Sequence, residues 1–296
     1  MSTGSGYASL GERDMIPIID THQHLWDLNL LQLNWIKGAG ALGKNHLMSD
    51  YVRDAQGLNI TRTIYMEVDA VEEQHEVEAG YVLDLCWRPD NPMTAAVIGG
   101  RPDDLRFTEY MERFAHSPYI KGVRQVLHGG TKKGYCLDPE FVHGLRALGD
   151  LGLRFDLCMR PDELSDALQV CRECPNTLFV LDHCGNASVQ PSDLNQWKRE
   201  IEAVSKAPNI ACKISGLVST VIRGEWSSSD LDPIISHCVQ VFGHDRIMFG
   251  SDWPICTVNA SLREWVEALQ QIVSSWSESD QRKLFHDNAA RFYELN

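Results

Sequence analysis

IPIIDTHQHLWD, residues 16–27, is a short apolar run that turns polar at its end and closes on two histidines, His22 and His24. It is too short for a typical buried helix, rich in isoleucine, and bounded by Pro17 and by polar residues, which reads as a buried β-strand. Seven further runs of the same kind follow: TRTIYMEV (61–68), TAAVIGG (94–100), IKGVRQVLH (120–128), RFDLCMRP (154–161), LFVLDHCG (178–185), IACKISGLVS (210–219) and RIMFGSDWP (246–254). Between them lie segments of helical period: 73–88, 105–116, 139–152, 193–208 and 231–243, with 261–276 and 279–295 after the last run. Strands that alternate with helices pair in parallel, because a parallel return needs a crossover. Eight such units at even spacing predict a closed (β/α)8 barrel, a TIM barrel in the α/β class, over residues 16–296. An open doubly wound sheet would carry a glycine-rich first turn, and Thr21-His22-Gln23-His24 is no phosphate cradle. The one irregular connection is the long first βα loop, 28–50, expected to lie over the barrel mouth.

The 296 residues fit one large barrel with a polar lead-in over 1–15, expected to be flexible. That lead-in has neither a basic nor an apolar region and does not read as a signal peptide. No apolar run reaches the length of a membrane span. The 27 Lys and Arg against 41 Asp and Glu give a net charge of −14, which argues against nucleic acid or an anionic membrane as partner. The acidic residues fall largely on the outer helices, as in EEQHEVEAG (72–80), where they bear on solubility. Nine scattered cysteines in a chain of this size read as reduced thiols and a cytoplasmic location. Cys171 and Cys174 match C-x-x-C but end a helical stretch, and are expected to be two partly buried helix cysteines.

In a barrel of this kind chemistry sits where the strands end at their C-terminal face. His22 and His24 are two apart and share a face. Arg124 and His128 share one on strand four. His183 ends strand six, Lys213 lies on strand seven, Asp252 ends strand eight, Glu67 ends strand two, and Asp156 and Arg160 lie on strand five. Buried ionisable groups are costly unless paired, metal-bound or functional, so their convergence on one mouth predicts a site. Lys213 is expected to touch the site or pair with Glu67 or Asp156. Asp20, of the same parity as His22 but deeper, is expected to hydrogen-bond structurally. Trp26, Trp35 and Trp253 flank the mouth, where they either contact substrate or pack. His75, His116, His143, His237, His244 and His286 fall on helices or helix ends and are expected at the surface or in caps.

These motifs, IIDTHQHLWD with WI at 35–36, GVRQVLH, FVLDHCG, CKISGL and FGSDWP, resemble the amidohydrolase superfamily over about 16–294. The resemblance is to the amidohydrolase-related branch that contains L-fuconolactone and L-rhamnonolactone hydrolases, with 2-pyrone-4,6-dicarboxylate lactonases among its relatives. It implies a barrel hydrolase that opens a sugar-acid lactone or related cyclic ester, a small-molecule substrate. Asp252 would be the general base, and His22, His24 and His183 would polarise the carbonyl, directly or through one divalent ion such as Zn2+ held by these histidines and Asp252. Arg124, Trp26, Trp35 and His128 would contact substrate. Strand five offers Cys158-Met159-Arg160 where binuclear members carry a carboxylated lysine, which disfavours two metals. The nearest competing reading is a metal-dependent decarboxylase of an unsaturated or aromatic acid; a binding barrel without catalysis is a third.

Overall fold

The computed structural model describes residues 15–189 and 194–295. All but the last residue of the expected lead-in therefore lies outside the described residues. Eight strands form one parallel sheet in sequence order: β1 Ile18–Gln23, β2 Ile60–Met66, β3 Met93–Gly99, β4 Ile120–Leu127, β5 Arg154–Met159, β6 Leu178–Leu181, β7 Ile210–Ile214 and β8 Ile247–Phe249. The barrel of the sequence reading is present, strand for strand. Its last seam lies at the mouth. The backbone N–H of Asp252 donates to the His22 carbonyl over 2.8 Å, and that of His24 to the Trp253 carbonyl over 2.7 Å.

The outer helices are α1 Met48–Asp54, α2 His75–Trp87, α3 Phe107–Glu112, α4 Pro139–Asp150, α5 Leu164–Glu173, α6 Leu194–Val204, α7 Ser228–Phe242 and α8 Leu262–Ile272. Local signals set several of their starts. Asp138 accepts from the Glu140 N–H ahead of α4, with Pro139 at the first helical position. Ser261 and Glu264 exchange side-chain and backbone bonds in a capping box ahead of α8. The helix expected over 105–116 shortens to α3. That expected over 279–295 is divided by a wider π turn at Lys283–Asp287. None of the helices is long and apolar enough to cross a membrane among the described residues.

Two apolar layers hold the barrel. The larger lies between strands and helices and includes Phe155, Leu181, Ile214 and Phe249. The smaller fills the lower lumen with Ile19, Ile64, Met66, Ala95, Val97, Val180, Ala211 and Met248, closed by Tyr293 and Ala289 of the C-terminal segment. Above that plug the lumen turns charged. Asp20 does not share the inward face of His22, as the alternation predicts. The β1–β2 register shifts between Asp20 and Gln23, so the strand bulges there and reverses its parity. Asp20 faces outward, accepting from Tyr51 Oη (2.8 Å) and from the backbone N–H groups of Ser251 (2.8 Å) and His22 (3.1 Å). Its expected hydrogen-bonding role stands.

Residues 28–47 form the long first loop, with 3-10 turns at Asn34–Ile36 and Gly40–Leu42 before α1. It is pinned by a two-bond ladder between the backbones of Trp26 and His46 and by donation from Trp26 Nε1 to the Lys44 carbonyl.

Candidate active site

Every sequence-predicted ionisable group of the mouth except His128 and Arg160 lies in or beside one buried cluster. The ring centroid of His22 is 4.9 Å from that of His24 and 4.5 Å from that of His183. Asp252 Oδ1 lies 3.4 Å from His24 Nε2 and 3.8 Å from His22 Nε2. Asp252 follows the end of β8 by three residues and holds a left-handed backbone (φ 60°), as does His183 (φ 54°). Side chains avoid that region, and such outliers gather at functional sites. Two glycines make the packing possible: a Cβ on Gly216 would lie 2.5 Å from His183 Nδ1, and one on Gly250 2.7 Å from the His22 Cβ.

The rings have defined partners. His24 Nδ1 donates to the Met66 carbonyl over 3.0 Å, which turns Nε2 towards Asp252. His183 Nδ1 meets Ser215 Oγ at 2.9 Å. His22 is wholly buried, and burial holds its imidazole well below the ordinary range, with Asp182 opposing. As a neutral ring it accepts at Nε2 from Arg124 Nη1 (3.2 Å) and presents Nδ1 to Asp182 Oδ1 (3.3 Å). Burial alone would lower His183 as well, but the neighbouring Asp252, Cys158 and Asp182 raise it.

Beneath the histidines runs a chain of buried ions. Arg124 donates from Nε to Glu67 Oε1 and from Nη2 to the Glu67 carbonyl, both at 2.7 Å. Lys213 donates to Asp156, lies 3.3 Å from Asp182 Oδ1, and reaches to 3.5 Å from His22 Nδ1. Of its two expected partners Lys213 thus takes Asp156, and Glu67 goes to Arg124. Burial would raise Asp182, yet Lys213 and His22 hold its carboxyl well below the usual range. Asp182 is the residue the sequence reading missed. It immediately precedes His183, and an acid at the end of an apolar strand was the available signal.

The remaining expected contacts sit further out. His128 follows the end of β4 and is exposed at the rim. Trp26 is wholly buried, while Trp35 is 36% exposed and donates from Nε1 to the Val68 carbonyl over 2.7 Å. Trp253 is buried and donates to Asp54 Oδ2 at 3.0 Å. Arg160 ties loops together through the Leu127 carbonyl and Glu163. Cys171 lies in the last turn of α5 and Cys174 follows its end, both buried; His75, expected at the surface or in a cap, is buried at the start of α2. All nine cysteines are free and buried.

A divalent ion fits this donor set. His22, His24 and Asp252 each offer an atom within 4.8 Å of the others. The His24–Asp252 separation is close to the edge of a tetrahedral zinc site, about 3.3 Å for ligand bonds near 2 Å. With Nδ1 taken up by the Met66 carbonyl, His24 turns Nε2 towards the Asp252 carboxylate, a pair that a cation or a shared proton can join. Arg124 is the competitor, since it already occupies the acceptor side of His22.

The amidohydrolase family matches residues 19–295, nearly the whole described chain. The chain belongs to the amidohydrolase family. Among relatives of this amidohydrolase, an L-fucono-1,5-lactonase of Burkholderia multivorans is 28% identical over 94% of this chain and 96% of its own length. An L-rhamnono-gamma-lactonase of Scheffersomyces stipitis is 24% identical over 94% of this chain and 98% of its own. The solved structure of a Burkholderia multivorans amidohydrolase with bound zinc superposes with a TM-score of 0.83 at 24% identity, covering 95% of this chain and 100% of that one. This last likeness concerns the fold.

Proposed function

We propose that this amidohydrolase opens a sugar-acid lactone, an aldonolactone or a related cyclic ester, by attack of water on the ring carbonyl. The observation that carries the reading is the Asp252 carboxylate beside His24 and His22 at the barrel mouth. The names of the two lactonase relatives, matched over nearly their full lengths, agree with it. Asp252 takes a proton from water as the oxygen attacks the carbonyl carbon. The ring C–O bond then breaks, and the departing alkoxide recovers the proton from Asp252. His183, on the same mouth, is placed to donate to the carbonyl oxygen as charge develops there. Arg124 sets the positive field behind His22, and the exposed rings of Trp35 and His128 are placed to meet the sugar. A divalent ion, when bound, would be held by His22, His24 and Asp252 and would supply polarisation of the carbonyl and acidification of water.

A pH-indicator screen over aldonolactones and pyrone lactones, with and without chelator, tests this reading, because each opened ring releases a proton. Turnover of at least one aldonolactone, abolished in Asp252→Asn, is the expected result. Release of carbon dioxide from an aromatic acid with no lactone opened would transfer the site to the decarboxylase reading.

A further inference from the structure

Three of the nine buried thiols converge on one point outside the mouth. Cys184 lies in the turn after β6, Cys212 on β7 and Cys238 on α7, and their sulfurs all lie within 4.8 Å of one another. Each has no exposed surface, and all three belong to the apolar layer between strands and helices. Outside the trio, Cys184 Sγ lies 3.6 Å and Cys212 Sγ 3.8 Å from a single acceptor, the Lys213 carbonyl. Among the described residues no other group of cysteines gathers in this way.

We propose that Cys184, Cys212 and Cys238 form a three-sulfur site for trivalent arsenic. Soft thiolate ligands select soft centres, and three sulfurs with no fourth side-chain donor suit a three-coordinate one. Charge selects further. Three thiolates around a mono- or divalent cation leave a net negative charge in an apolar layer, at a high desolvation cost. Arsenous acid enters as a neutral molecule and leaves a neutral product. Three As–S bonds form, three As–O bonds break, and the three thiol protons depart with the hydroxyls as three waters, with no oxidation or reduction. The site is tied to the mouth, because Cys184 directly follows His183 and both hold left-handed backbones in one turn.

Incubation of the whole protein with arsenite, followed by native mass spectrometry and arsenic X-ray absorption, tests the site without reference to any substrate. The expected result is one arsenic per chain with three sulfur neighbours, loss of that species in Cys238→Ala, and its retention in Cys86→Ala. Two sulfur neighbours in the wild type, or undiminished uptake in Cys238→Ala, would overturn the assignment. The absorption measurement on wild type decides the matter even if Cys238→Ala fails to fold.

Discussion

Arg124 grips Glu67 twice, once at the carboxylate and once at the main-chain carbonyl, each over 2.7 Å. Both side chains are almost wholly buried. The pair joins the end of β2 to the middle of β4 beside the histidines, so one contact serves the barrel wall and the site. Removing one partner leaves the other charge in the lumen without compensation. Arg124→Met is expected to cost about 3–5 kcal/mol of stability, measured by urea unfolding. Arg124→Lys keeps the charge but not the planar fork and should recover only part of this. A full recovery by lysine would show that charge alone matters.

Lys213 stands between Asp156 and Asp182 with no exposed surface. Lys213→Met should destabilise strongly, since two carboxylates then face each other across the lumen. Adding Asp156→Asn should restore part of the loss, and the coupling in a double-mutant cycle should exceed about 1 kcal/mol. Additive effects would refute a direct pairing.

Asp252→Asn retains shape but cannot accept a proton. Lactone opening is expected to fall by roughly 10²–10⁴-fold in kcat, with the melting temperature little changed. A comparable fall in stability would instead assign Asp252 to the barrel seam.

Glu78 lies outside the mouth, accepting from Tyr65 Oη (2.8 Å) and the Val68 N–H (2.9 Å) with one oxygen. Burial first, and Glu67 next, push its carboxyl up to about 8. The native state thus holds a proton that the unfolded chain releases near its usual pKa of about 4.3. Stability from this group is fully present at low pH and declines as pH rises from the unfolded value through about 8. Thermal melts of wild type and Glu78→Gln should converge below pH 4 and diverge in favour of the variant towards pH 8. Parallel curves across that range would sink the prediction.

The barrel was legible because each strand is a bounded apolar run, and parallel strands buried on both faces need little else. His22, His24, His183 and Asp252 were legible because polar residues at the ends of such runs have no packing reason to be there. Parity reasoning failed at Asp20, where a bulge inserts a residue that no alternation pattern reveals. It was also of little use at His128, where the even spacing from Arg124 continues past the end of β4 into the exposed rim. The sequence narrowed the partner of Lys213 to Glu67 or Asp156 without choosing, because barrel curvature, not distance along the chain, decides which carboxylate each cation meets. His75, expected at the surface or in a cap, does lie at a helix start, but α2 packs that first turn inward and buries it.

Closure of the barrel joins residues more than two hundred positions apart: Thr21 Oγ1 donates to the Phe249 carbonyl, and the Ser251 N–H to Asp20. Contacts of such long range form late in folding, after their loop entropy has been met. A nascent chain on the ribosome carries both first-strand histidines long before Asp252 exists to stand beside them. The same strand that completes the wall delivers the carboxylate. On the role proposed for Asp252, half-made or misregistered barrels are chemically silent, and turnover by a population of molecules would count the fraction that finished folding.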